Sequence, residues 1–141
     1  MAAADLNSIR ATIEGRLATE LANSPAIPVV FHNMAYEPTP SSSWVQCLTS
    51  FGNSEFLSLG GVTDSDNRVV GLVVVNVFSA AGVGPGANYT IARRIRDLYN
   101  RVNVSGVYFD APIGPEVLAS ASPEGYFQTQ VRVTFEFIEE L

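Results

Sequence analysis

Residues 68–102 restrict the possible folds more than any other part of the sequence, because they join an apolar strand, a glycine-rich turn and an amphipathic helix. In residues 69–78 every position except Asn76 is apolar or glycine. Most of these residues are valines, whose branched side chains favour β-strands. The segment AAGVGPGA then ends the strand, since glycine and proline favour a turn. A helix capped by Asn88 is predicted to follow, so that strand and helix form a small α+β core.

This second helix has an apolar side and a basic side. Its apolar residues fall within about a third of the helical wheel: Ile91, Ala92, Ile95, Leu98, Tyr99 and Val102. The opposite side carries Arg93, Arg94, Arg96, Asp97, Asn100 and Arg101. A solvated helix face is the ordinary role of such charges. The functional alternative is a surface that meets an acidic partner or lines a passage containing DNA.

The remaining sequence predicts one more helix and several strands. Residues 5–22 form the first helix, with an apolar stripe at Leu6, Ile9, Ile13, Leu17 and Leu21. Strands are predicted over residues 27–32, 43–51, 69–78, 105–110, 116–120 and 125–138. Residues 52–67 are interpreted as a hairpin-type connection with some strand character at 56–59. The segments 105–110 and 116–120 form either a weak strand pair or one strand interrupted at 111–115.

These elements predict a single α+β domain over residues 1–141, with a mixed or antiparallel sheet packed against two helices in the order α-β-β-β-α-β-β. Two helices cover only one face of such a sheet. The central strand, however, is apolar on both faces, with Val73 and Val75 on one and Leu72 and Val74 on the other. Because such a strand is normally buried on both faces, we infer that a neighbouring subunit supplies part of the missing layer.

Composition favours the same inference and excludes several classes of protein. Of the 141 residues 47% are hydrophobic and only 16% are charged, which is below the usual quarter for soluble domains. No apolar run is long enough for a transmembrane helix, and no secretory signal is present at the start. The single cysteine fits a chain made in a reducing cytoplasm. A net charge of −6 argues against general nucleic-acid binding, which requires clustered cations.

No catalytic, cofactor or metal site is predicted. The loop GVGPG departs from the dinucleotide fingerprint, because its third glycine comes one place early, and a phosphate loop would need a lysine that the chain lacks. His32 and Cys47 are the only residues of their types, too few for a zinc site and without a surrounding nucleophile motif. The acidic segment that begins at Asp64 fails as a calcium loop, since its twelfth residue is Val75.

The chain resembles a known family, the tail-terminator (tail-completion) proteins of long-tailed bacteriophages. The resemblance is carried by Ile9, Arg10 and Leu17, by residues 28–38, by VNVFSAAGVGPGANYTIARRIRDLY at 75–99, and by YFQTQVRVTFEF at 126–137. It covers nearly the whole chain. It implies a structural virion protein without catalytic residues or cofactor.

The resemblance also implies an assembly. Such proteins form a ring, usually of six copies, on the head-proximal end of the tail tube, where the ring stops tube polymerisation and presents the head–tail joining surface. The implied partners are further copies of the chain, the tail tube protein and the head–tail connector or neck protein, with genomic DNA only as passing cargo and no membrane. The implied location is the virion tail, after assembly in the host cytoplasm.

Two alternatives to a tail terminator stay open. One is another neck, head-completion or tail-tube-like subunit. The other is a small-ligand-binding α+β domain that uses the loop at 82–86 as an anion site. For the subunit, tube or neck contacts we expect Asp64, Asp66 and Arg68 in one segment, and Arg93, Arg94, Arg96 and Arg101 in the other.

Overall fold

The computed structural model contains two helices and seven strands in the residues that it describes. The described residues are 5–23, 26–31, 34, 42–56, 66–82, 84–118 and 125–140. The helices are α1 (Leu6–Glu20) and α2 (Gly86–Tyr99). The strands are β1 (Val29–Phe31), β2 (Trp44–Phe56), β3 (Asp66–Ala80), β4 (Asn103–Val104), β5 (Val107–Phe109), β6 (Ile113–Val117) and β7 (Tyr126–Glu140).

The strands form one mixed sheet in the order β1-β2-β3-β7-β5-β4. β1 runs parallel to β2, and the other paired strands are antiparallel. β3 and β7 pair over their whole length, from Asp66 opposite Glu140 to Ala80 opposite Tyr126. β5 and β6 follow each other along the remaining edge of β7. The two longest strands therefore form the centre of the sheet.

Both helices pack on one face of this sheet and bury the core there. The buried residues alternate along the central strands and recur at helical spacing along α1 and α2: Ile13, Leu17, Val73, Val75, Val77, Ile91, Ile95, Val131, Val133 and Phe135. Each such side chain contributes about 1.5–3 kcal/mol by leaving water. The helices also contact each other, because the Tyr99 hydroxyl donates to the carbonyl of Ile13 at 2.7 Å.

The α+β class, the two helices and the mixed sheet predicted from the sequence are confirmed. The first helix, predicted over residues 5–22, spans Leu6–Glu20, and Asp5 caps its N-terminus because its carboxylate accepts the Asn7 N–H and the Ser8 hydroxyl at 3.0 Å. Of the two readings for residues 105–120, the interrupted strand is closer. The interruption between β5 and β6 spans only residues 110–112, and β4 adds a short hairpin to β5.

Two predictions about boundaries are wrong. β2 continues to Phe56 and β3 begins at Asp66, so much of the predicted connection is strand, while residues 57–65 lie outside the described part of the chain. Asn88 is not the N-cap of α2, which begins at Gly86 after Pro85. Asn88 lies within the first turn, and its side chain is fully buried.

The buried Asn88 side chain joins α2 to the two central strands. Its amide nitrogen donates to the carbonyls of Val77 and Phe127 at 2.9 and 3.1 Å. Its amide oxygen accepts a hydrogen bond from the Thr129 hydroxyl. The residue therefore satisfies groups on β3 and β7 instead of the first backbone N–H groups of its own helix.

Candidate interaction surface

The sheet has a second broad face, here called the outer face, which points away from α1 and α2. Pairing places the even-numbered residues of β3 and β7 on it, together with the even-numbered residues of β2 up to Ser50. Among the described residues, the helices contribute their buried side chains only to the opposite face. The outer face is thus a candidate for contact with another molecule.

The middle of the outer face is apolar. Leu48, Val70, Leu72 and Val74 lie there and are only half-buried. Three larger apolar side chains around them are about half exposed, namely Tyr108 (48%), Ile113 (53%) and Ile138 (56%). Several large apolar side chains exposed on one face of a sheet are typical of a protein–protein contact.

A ladder of amide side chains crosses the outer face from β2 to β7. The Asn76 nitrogen donates to the Gln46 oxygen at 3.1 Å. The Asn76 oxygen accepts hydrogen bonds from the amide nitrogens of Gln128 and Gln130, also at 3.1 Å. These groups fix the relative positions of three strands, and Asn76 and Gln128 are themselves buried.

Aromatic side chains cover one end of the outer face. The rings of Trp44 and Phe78 stack with their centres 4.1 Å apart, and Tyr126 meets both at steep angles. Together with Val30 they form a small cluster separate from the main core. At this end of the outer face the apolar side chains are therefore buried by contacts within the chain.

The other end of the outer face is charged, because Arg68 forms ion pairs with Glu136 on β7 and with Glu55 on β2, the latter at 2.9 Å. Hydrogen bonds to Glu136 and then Glu55 raise the pKa of the guanidinium. Nearer the middle, Arg132 pairs with Glu116 at 2.6 Å. Exposed pairs of this kind contribute little to stability but fix which charges a partner would meet.

The first predicted contact segment lies at this charged end. Asp66 is exposed at the start of β3, opposite Glu140, and Arg68 follows two residues later on the same face. Asp64 lies outside the described residues. The structure therefore brings Asp66 and Arg68 together but does not test a contact with another molecule.

The second predicted segment divides into arginines whose side chains bond to another element of the chain and arginines that are exposed without such a bond in the described residues. Arg94 donates to the Glu20 carbonyl at 2.6 Å, at the end of α1, while Arg16 donates to the Leu98 carbonyl at 2.9 Å, at the end of α2. Each helix thus supplies the cation that stabilises the C-terminus of the other. Arg96 donates to the Gly114 carbonyl on β6.

Arg93 is exposed on α2. Arg101 is also exposed, but α2 ends at Tyr99, so Arg101 lies in the turn beyond the helix with a positive φ of 55° and not on the predicted helix face. Arg93 pairs with Asp97 at 3.2 Å, and the two side chains are 74% and 62% exposed. For Arg101 the described residues show a backbone bond to Asp110 and no side-chain ion pair. These two arginines remain available to another molecule in a way that Arg94 and Arg96 do not.

Sequence reasoning missed the exposed apolar residues of the outer face. Tyr108, Ile113 and Ile138 carry no motif, and each looks like an ordinary strand residue in the sequence. One signal is available for Ile138, since it continues the even-numbered positions of β7, which lie on the face away from the core.

The residues considered in the sequence as possible catalytic or ligand-binding groups show no such role where the structure describes them. Burial raises the pKa of the Cys47 thiol to about 12, and the nearby negative charge of Glu14 adds to the rise, so the thiol stays protonated and unreactive. His32 lies outside the described residues. Gly82 and Gly84 adopt the positive φ values predicted for the tight turn. No group of potential metal ligands occurs in the part of the chain that the structure describes.

Neither described helix is long and apolar enough to cross a membrane.

The turn with its two positive-φ glycines borders a pocket of about 360 Å³, which is lined mainly by apolar and small residues, including Ala80, Pro85, Tyr89 and Phe127. None of the described residues that line this pocket provides the cationic side chain that an anion site would favour.

Comparison with known proteins gives one family and a matching fold. The sequence profile of a family described as phage tail terminator protein matches residues 8–135, nearly the whole chain. A solved structure matches with a TM-score of 0.65 at 17% sequence identity, covering 97% of this chain and 96% of the other. At that identity the structural match shows the fold alone. No curated protein matches the sequence.

Proposed function

We propose that this chain, which belongs to the phage tail terminator family, forms a homohexameric ring on the head-proximal end of the tail tube. The family is a structural one, and its members are parts of the virion tail that associate with other tail and head components. In the proposal the ring ends polymerisation of the tube protein and presents the surface on which the head–tail connector docks.

The observation that carries the proposal is the outer face, which neither described helix covers. Its half-buried valines and leucines lie at the centre of the sheet, where a second layer is normally found. A ring of identical copies supplies such a layer to every subunit at once, because a head-to-tail contact that closes leaves no face unpaired. The chain acts in this proposal as one non-enzymatic domain, assembled in the host cytoplasm, with DNA passing through the ring.

The test measures native mass and tube capping together. Light scattering after size exclusion should give a discrete species of roughly 90 kDa for six copies of the 15.1 kDa chain. The same protein, added to polymerising tail tube subunits, should shorten the tubes and appear at one end of each by electron microscopy.

The opposite results separate the alternatives. A chain that stays monomeric both in solution and in the presence of tube ends would contradict the proposal. Growth into long tubes by the chain itself would indicate a tube-like subunit. Binding to the portal complex without binding to tubes would indicate another neck or head-completion component.

A further inference from the structure

We propose that the ring closes through contact between two different surfaces of the chain, one on the sheet and one formed by α2 and the turn that follows it. The first, here called the distal patch, consists of Glu55, Asp66, Arg68, Tyr108, Glu136 and Ile138. The second, here called the helix patch, consists of Arg93, Asp97 and Arg101. The inference rests on the proposed ring and adds which surfaces of neighbouring copies meet.

The distal patch has the composition of an interface. Ile138 lies opposite Arg68, Tyr108 lies opposite Glu136, and both apolar side chains are about half exposed. Around them the patch carries three carboxylates and one guanidinium, so its charge is negative. Exposed apolar side chains next to charged ones are common in protein–protein contacts, and tyrosine is common among the residues that contribute most to binding.

The helix patch is the positive counterpart. Five of the chain's eight arginines bond to a different element of the same chain: Arg16, Arg68, Arg94, Arg96 and Arg132. Arg10 is balanced by Glu14 on α1. Arg93 and Asp97 on α2 and Arg101 just beyond its end are all exposed, and together these three residues carry a net positive charge.

A second copy of this chain is the partner that these charges fit. With a net charge of −6, two copies repel unless opposite charges are aligned where they touch. Two distal patches would bring carboxylates together, and two helix patches would bring arginines together. Only the distal patch against the helix patch pairs opposite signs, and a contact between two different surfaces generates a ring when its rotation closes.

Four variants test this pairing by their effect on ring formation, measured by sedimentation over a range of protein concentrations. Arg101→Glu and Asp66→Arg should each raise the concentration for half-assembly by about tenfold or more, because they place like charges at the contact. The combination of both substitutions should restore assembly. Asp97→Asn, which makes the helix patch more positive, should lower that concentration. Thermal unfolding of each variant at low concentration verifies that the subunit is folded.

The outcomes separate this inference from the proposed function. If the unaltered chain forms rings and Arg101→Glu and Asp66→Arg assemble equally well, the pairing of these surfaces is refuted and the ring stands. The pairing would also be refuted if Asp97→Asn and Arg101→Glu weakened ring formation equally. If these residues only maintained the structure of the subunit, the sign of the charge would not matter. If the unaltered chain forms no ring, free or on tube ends, both proposals fail.

Discussion

Gly71 shows how closely the core is packed at a single residue. A Cβ atom added there would lie 2.3 Å from a ring carbon of Phe135 and 2.7 Å from the Ser50 carbonyl oxygen. Gly71→Ala should therefore lower the free energy of unfolding by about 1–3 kcal/mol, because the Phe135 ring or the strand must move. Urea unfolding monitored by circular dichroism measures this loss.

Gly15 provides the matched control for that substitution. It lies in the exposed part of α1, and an added Cβ atom would meet nothing within 4 Å. Gly15→Ala should raise the free energy of unfolding by about 0.5–1 kcal/mol, because alanine loses less backbone freedom in a helix. Equal effects of the two substitutions would show that the contact between Gly71 and Phe135 is not the cause.

Among the elements, α2 depends on one buried side chain for its position. Asn88→Ala removes the donor to Val77 and Phe127 and leaves the Thr129 hydroxyl without its acceptor. We expect a loss of about 2–4 kcal/mol in the free energy of unfolding, since buried polar groups are left unsatisfied. Asn100→Ala, at the exposed end of the same helix, should change it by about 0.5 kcal/mol or less. Similar losses in both variants would contradict the anchoring role.

The helices and strands can be predicted from local sequence patterns, whereas the side-chain contacts between them cannot. The apolar stripes of both helices and the strand-forming pattern of β7 were sufficient to predict these elements, although Leu6, part of the predicted stripe of α1, is exposed. Asn88 was assigned as a cap because asparagine next to a glycine-rich turn favours one locally. Its real partners, Val77 and Thr129, are distant in sequence, so only the tertiary fold brings them within hydrogen-bonding distance.

The same limit applies to the candidate contact residues. Arg93, Arg94, Arg96 and Arg101 are equivalent in the sequence as charges on one helix face. The structure separates them, because Arg94 lies over the end of α1 and Arg96 over β6, positions that no local pattern specifies. Arg93 and Arg101 stay candidates, and their contacts in an assembly remain a prediction.

At the scale of the whole molecule, substitutions on the two faces of β3 can distinguish residues needed for folding from residues needed for assembly. Val73 is fully buried under the helices, while its neighbour Val74 is half-buried on the outer face between Leu48 and Arg132. Val73→Glu should lower the free energy of unfolding by several kcal/mol, since it places a charge in the core. Val74→Glu should change that of the isolated subunit by about 1 kcal/mol or less, because the new carboxylate reaches water and Arg132.

Ring formation should be sensitive to Val74→Glu, although the stability of the isolated subunit is not. If another copy covers the outer face, Val74→Glu buries an added charge at the contact and abolishes the ring, while the subunit still unfolds near the wild-type temperature. Light scattering and thermal unfolding on the same samples measure both properties. The wild-type midpoint should also rise with protein concentration, since only the folded chain assembles, and that dependence should vanish in Val74→Glu. If Val74→Glu forms rings normally, a neighbouring copy does not cover the outer face at Val74.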